Sequence, residues 1–229
     1  MQKLSITYDI ILTRKKDVTY NAEVVLMKVK NLVREIISLM VTIIVIIIIV
    51  FTLNITVFTI SEVKQVSMRN TLLEGNIVYY NRLANKPEHF NRGDIVLFLV
   101  DGGEIHGIFN AISIKFTDLR DSLAGKRGRT NVRYVKRIIG LPGDVIEIDD
   151  DGKVYVNGEL EKRPYVLGNT SEGNMKYPLK VPENEFFVMG DNREMSDDSR
   201  KFGCISIDSI EGKEAFILWP PSRVKKNKV

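Results

Sequence analysis

Tyr134-Val-Lys-Arg-Ile-Ile-Gly-Leu-Pro-Gly-Asp144 is a short apolar run that carries two cations and stops at a turn. Its β-branched and aromatic residues followed by a Gly-Leu-Pro-Gly-Asp reversal read as a strand and its exit. Side chains alternate across a strand, which puts Tyr134, Lys136 and Ile138 on one face and Val135, Arg137 and Ile139 on the other. Two readings of Lys136 stay open. On an edge strand it is a solvated lysine, a common guard against edge-to-edge pairing. Held between Tyr134 and Ile138, its ammonium loses hydration, the pKa falls from about 10.4, and the amine becomes a usable base near neutrality. Such a base needs a nucleophile, which the rest of the chain must supply.

Outward from this strand the signals are mostly β. Asn76-Ile-Val-Tyr-Tyr80 and Asp94-Ile-Val-Leu-Phe-Leu-Val100 are rich in β-branched and aromatic residues. Val145-Ile-Glu-Ile148 and Lys153-Val-Tyr-Val-Asn157 flank Asp151-Gly152, a strong hairpin signal. Glu185-Phe-Phe-Val-Met-Gly190 and Ile205 to Trp219 add further strands, and residues 158 to 182, with three prolines, read as a loop-rich excursion. Ile108 to Leu123 is either a helix or an irregular excursion. Gly125-Lys-Arg-Gly-Arg-Thr-Asn131 is a basic, glycine-broken loop that touches lipid phosphates or is solvated.

The 229 residues, 44% of them hydrophobic, suffice for one sizeable core or two small ones. A net charge of +4 is spread along the chain without a nucleic-acid motif, so an anionic membrane surface is the simpler partner and no nucleic acid is expected. A single cysteine, Cys204, excludes an intrachain disulfide and a Cys-rich zinc cluster and reads as a small buried thiol. Neither His89 nor His106 lies in a nucleophile motif and no Gly-x-Ser-x-Gly occurs, which argues against a Ser-His-Asp enzyme. No metal or cofactor is expected.

Residues 1–35 are polar and mixed, with cations in excess, and read as a cytoplasmic leader. Residues 36–60 carry no charge and are long enough to span a bilayer. The basic flank precedes this span, so the positive-inside rule places the N-terminus in the cytoplasm and the residues after about 62 outside. No small-x-small cleavage pattern follows, which reads as an uncleaved anchor. Just beyond it comes Gln65-Val-Ser-Met-Arg-Asn-Thr-Leu72. A lone serine such as Ser67 is ordinarily structural, but a neutral lysine amine elsewhere in the chain can take its proton and form a Ser-Lys dyad. Gly190-Asp-Asn-Arg-Glu-Met-Ser-Asp-Asp-Ser-Arg-Lys-Phe-Gly203 is either a solvated turn or a segment that holds the Lys136 strand through Arg-carboxylate pairs and offers a hydroxyl to its amine.

Four of these segments, in this order, resemble the bacterial type I signal peptidases: Ser67-Met68 after the span, Arg92-Gly-Asp-Ile-Val96, Tyr134 to Asp144, and Gly190 to Gly203. That resemblance implies a membrane-anchored serine endopeptidase with Ser67 as nucleophile and Lys136 as general base. It also implies that Ser196 orients the amine, that Asp198 and Arg200 form a supporting ion pair, and that Met68, Tyr134 and Val135 lie beside the substrate cleft. The implied fold is mainly β, with a catalytic core over 61–145 and 185–229 and an inserted β-rich subdomain over 146–184. The implied partners are the signal peptides of exported preproteins and the lipid bilayer. Two departures stand out. Asn70 takes the place of the family's usual Pro, and Gln65 that of a hydroxyl or acidic residue, although its amide can donate the same oxyanion hydrogen bond. Asn70 leaves room for a non-catalytic binding or assembly factor, and a second enzyme reading is a dedicated processor of one exported protein such as a pilus subunit.

Overall fold

The computed structural model describes the backbone of residues 2–100, 103, 105, 108–125, 131–162 and 164–223, and the side chains of these except 2–23, 108 and 223. His106, the basic cluster Lys126 to Arg129 and the C-terminal lysines lie outside the described residues. The chain divides into two compact units, residues 1–52 and 53–229.

The first unit is helical. Helix α1 (Gln2–Thr56) passes through Ile36 without a break, so the expected change from leader to span has no counterpart in the backbone. Its stretch Val24–Thr56 is the one helix among the described residues long and apolar enough to cross a membrane. The expected end of the span at Ile60 is corrected. The helix stops at Thr56, and strand β1 (Phe58–Glu62) takes up the alternating, β-branched run that follows, because Thr59 and Ile60 find strand partners in Tyr80 and Tyr79.

The second unit is mainly β. In chain order it holds β2 (Ile77–Asn81), β3 (Ile95–Leu99), helix α2 (Ile108–Leu123), β4 (Arg133–Gly140), β5 (Val145–Ile148), β6 (Val154–Val156), β7 (Glu159–Leu160), β8 (Leu179–Lys180), β9 (Glu185–Met189), the short helix α3 (Ser199–Phe202), β10 (Ile205–Ser206) and β11 (Ile210–Trp219). A seven-stranded sheet runs β1-β2-β11-β3-β4-β9-β10 and a four-stranded sheet runs β7-β6-β5-β8. The sequence left Ile108 to Leu123 open between helix and excursion; it is helix α2.

Strand β4 lies inside the larger sheet, antiparallel to β3 with Val96 opposite Lys136, and antiparallel to β9 from Arg137 onward. Lys136 itself is 1% exposed, which excludes the solvated reading. The run Lys136 to Gly140 is buried, which explains why its sequence is nearly continuous in apolar residues around the two cations. The two sheets share a core in which Ile139, Phe187 and Met189 meet Ile146, Ile148, Val154, Val156 and Val181. They approach so closely at Gly140 that a Cβ there would stand 2.7 Å from Ile146 Cδ1.

Ion pairs join segments far apart in sequence. The Arg92 guanidinium donates to both Asp144 carboxylate oxygens at 2.8 and 2.6 Å, which fastens the turn after β4 to the chain before β3. At the other end of the sheet, Glu211 of β11 is buried among Arg82, Arg133 and Lys115, the last belonging to α2. Burial pushes the Glu211 carboxyl up, but the surrounding cations outweigh it and hold its pKa below the ordinary range.

Candidate active site

Ser67 sits in a short 3-10 turn, Val66–Met68, and is buried with Met68. Its segment is clamped from the facing loop. The Asn192 amide N–H donates to the Ser67 carbonyl at 2.9 Å, and Asn192 Nδ2 donates to the Val66 carbonyl at 3.2 Å. Asn192 is a positioning residue that sequence reasoning missed, although its motif had been singled out; only the contact across the fold assigns the role.

Lys136 reaches Ser67 from β4, with Nζ 2.6 Å from Ser67 Oγ and 4.9 Å from the centroid of the Tyr134 ring. Its side chain is 1% exposed. Desolvation lowers the amine pKa from an ordinary 10.5 to about 8, against the opposing pull of Asp198 and Asp197. A neutral amine within hydrogen-bond reach of a hydroxyl can take its proton, which meets the geometric requirement for a general base.

Asp198 and Arg200 form a buried bidentate pair with both bonds at 2.8 Å. Burial pushes the Asp198 carboxyl up, yet hydrogen bonds from Arg200 and the Gly190 amide bring it below its usual range. Asp198 also caps α3 and accepts from the Gly190 N–H at 3.0 Å, fixing the loop beside Ser67. The Ser196 hydroxyl is buried next to this pair. It helps to keep Asp198 ionised, but its oxygen closes no hydrogen bond of full geometry, to Lys136 or to any other described group. Gly190 is required here by space, because a Cβ on it would fall 2.3 Å from Ser196 Oγ and 2.7 Å from the Ser67 carbonyl oxygen.

A second network supports the strand from its other face. Arg137 grips Asp191 at 2.8 and 2.7 Å, donates to the Gly93 carbonyl at 2.7 Å, and stacks on the Tyr165 ring at 4.0 Å. Thr71 donates to the same Asp191 carboxylate. Asn70 belongs to this network, its Nδ2 donating to the Tyr165 carbonyl at 3.1 Å. Arg69 at φ −55 and ψ 135, Asn70 at φ 103, and a 3.0 Å bond from the Thr71 N–H to the Met68 carbonyl define a type II turn. That turn needs a positive φ at its third residue, which asparagine tolerates and proline cannot adopt.

Two cavities open at Ser67. One, of about 570 Å³, is lined by residues 60–65 on one side and 131–133 with Val135 on the other, with Met68 and Leu97 also in its wall. The other, of about 320 Å³, is lined by Gln65, Tyr134, Lys136, Met195 and Asp197. Met68 and Val135 therefore face the larger cavity and Tyr134 the smaller, as strand alternation requires. Gln65 is exposed and lines both. Cys204 is half-buried and not among the residues lining either cavity, and burial pushes its thiol up to about 12, which makes it inert as a nucleophile.

Comparison with known proteins gives a consistent set of likenesses. The family model for signal peptidase, peptidase S26, matches residues 36–219. Signal peptidase I of Bacillus licheniformis is 34% identical over 173 residues, covering 72% of this chain and 78% of that protein. Signal peptidase IB of Staphylococcus aureus is 32% identical over 181 residues, covering 72% and 80%. A crystal structure of a signal peptidase I from Enterococcus faecalis V583 aligns at 28% identity with a TM-score of 0.35, over 54% of this chain and 94% of that one.

Two outcomes follow from this geometry. Asn70→Pro has no compatible backbone at φ 103 and should lower stability by about 1–3 kcal/mol, while Asn70→Gly keeps the fold. Thermal melts of the two variants check this, and a proline variant as stable as wild type refutes the turn assignment. The buried amine has a pH signature. Folded Lys136 gives up its proton near pH 8 and unfolded lysine near 10.5. The unfolded state thus binds more protons between those values, and stability rises with pH there. Below pH 8 the folded chain bears the whole cost of the charge, about 1.36 kcal/mol for each unit of depression. Lys136→Met should therefore melt higher than wild type at pH 7, with the gap closing as the pH approaches 10.5; equal melting temperatures at pH 7 would contradict a desolvated amine.

Proposed function

The chain belongs to the signal peptidase family, peptidase S26, whose members are membrane-anchored serine endopeptidases that act on exported preproteins, and from that premise we propose a Ser67–Lys136 dyad that cuts signal peptides after a small residue. The observation that carries this reading is the 2.6 Å approach of a buried, pKa-lowered amine to a serine hydroxyl at the meeting point of two cavities.

The substrate has a place to lie. Strand β4 pairs with β9 only from Arg137 onward, so its segment Arg133 to Lys136 presents an edge toward the larger cavity, opposite the exit of β1. An extended peptide can add to such an edge through main-chain hydrogen bonds and place alternate side chains in the cavity. The wall formed by Met68, Leu97 and Val135 suits a small apolar side chain beside Ser67.

In the first step the neutral Lys136 amine takes the Ser67 proton while Oγ attacks the scissile carbonyl carbon, placing negative charge on its oxygen. Gln65, through its side-chain amide, and the Ser67 backbone N–H donate to that oxyanion. The intermediate collapses as the C–N bond breaks, and the Lys136 ammonium returns the proton to the leaving amine. Water then attacks the Ser67 ester with Lys136 again as base, releasing the signal peptide. Ser196 steadies the amine once it turns toward Nζ, and Asp198 with Arg200 holds that loop in place. No step calls for a metal or cofactor. The helix containing Val24–Thr56 serves as the anchor, with residues 62–229 on the outer side, as the basic flank before Ile36 implies.

Cleavage of a preprotein should rise with pH along a limb near 8, well below that of free lysine. Lys136→Arg should be as inactive as Lys136→Ala, since arginine stays protonated, and Ser67→Ala should be inactive as well. Processing measured across a pH series decides the matter: normal cleavage by the arginine variant rejects the dyad. The topology has a separate check. Protease added to intact, wall-stripped cells should digest the region after residue 62, and full protection of that region would reverse the orientation.

A further inference from the structure

Helix α2 is amphipathic with its polar side turned inward. Ala111, Ile114, Lys115, Asp118 and Asp121 recur at helical spacing on the face toward the sheet. Lys115 Nζ lies 3.4 Å from Thr59 Oγ1 and 3.6 Å from Glu211. Asp118 pairs with Arg133 at 2.8 Å and accepts from Asn131 Nδ2 at 3.1 Å. The opposite face carries Phe109, Ile112, Phe116, Leu119 and Leu123, a single stripe at alternating spacings of three and four. These side chains are 85, 40, 69, 57 and 80% exposed. A contiguous apolar stripe of this kind marks a surface that something covers.

The chain itself indicates what covers it. Thr59, which holds Lys115, lies three residues past Thr56, the end of the long apolar helix. At no more than about 3.6 Å per residue, covalent connectivity alone keeps Thr59, which the inner face of α2 contacts through Lys115, within roughly 11 Å of the end of that helix. A helix with a polar face held by protein and an apolar face outward suits the boundary between headgroups and acyl chains, where such faces bury about 5–10 Å deep. Arg120, paired with Asp121 at 3.2 Å, is exposed beside Leu119.

Resting on the reading of Val24–Thr56 as a membrane anchor, we infer that α2 lies in the outer bilayer interface through Phe109, Ile112, Phe116, Leu119 and Leu123. This contact sets the height of the cleft above the lipid. Asn131 binds Asp118 and the Ile114 carbonyl of α2 and also lines the cavity at Ser67. The depth of α2 thereby selects which peptide bond of a membrane-inserted substrate reaches the dyad.

The test uses the full chain in vesicles of phosphatidylcholine and phosphatidylglycerol with brominated acyl chains. In a Trp219→Phe background, the Phe116→Trp protein should show blue-shifted fluorescence that the brominated lipid quenches. Glu147→Trp, at an exposed position of the second sheet, should be quenched by aqueous iodide only. Iodide quenching at position 116 overturns the inference, because the stripe then faces water. Protection from both quenchers, with copies cross-linking through α2, overturns it in favour of a contact between chains. The readout does not depend on proteolysis, so an enzyme that cleaves but is not quenched rejects α2 alone, and a quenched protein that never cleaves rejects the dyad alone.

Discussion

A lysine amine walled off from water holds its proton weakly, and the arrangement of the second unit follows from keeping one in that condition beside a serine. Lys136 is nearly inaccessible although its stretch of β4 pairs only with β3, so it is the packing around it, from the Ser67 turn and the Tyr134 ring, that deprives it of solvent. The desolvation that lowers its pKa toward neutrality also costs stability. Under the proposed dyad, basicity suited to catalysis and folding free energy are opposed at this residue, and the surrounding packing has to offset the difference.

Much of the packing around it is polar. Arg137 with Asp191 and Arg193 with Glu161 are buried pairs that tie the Gly190 to Gly203 loop to β4 and to the chain just after β7, and Arg200 with Asp198 is a buried pair within that loop. Buried pairs contribute little net stability, because desolvation cancels most of their attraction, but losing one partner leaves an uncompensated charge. Their effect here is to fix geometry. They allow the loop few alternative positions, and Asn192 passes that constraint to the carbonyls of Val66 and Ser67. Asn70 replaces the rigidity of a proline ring with a left-handed turn and a side-chain bond to Tyr165, so the motif is held by a different device at the same place.

Helix α2 extends the same logic outward. Its polar face ends on Glu211, Arg133 and Asn131, which also border the cleft or the strand that carries the base. The helix is coupled to the site through Lys115 and Asp118, and in the inferred placement its apolar stripe is a second contact with lipid.

Several features were decided locally and were legible in the residues alone. Alternation along Tyr134 to Asp144 separated the Lys136 face from the Val135 face, the Asp151-Gly152 turn announced its hairpin, and the uncharged run after Ile36 announced a helix long enough to span a bilayer. These depend on backbone periodicity, turn chemistry and bulk hydrophobicity, all of which operate over a few residues. The end of that helix at Thr56, the interior position of β4, the polar inner face of α2, the clamp of Asn192 on Ser67 and the meeting of Ser67 with Lys136 were decided only by tertiary structure. Each depends on which strand or loop comes to lie beside which across tens of residues, and the pKa of Lys136 depends on the water excluded by all of them together.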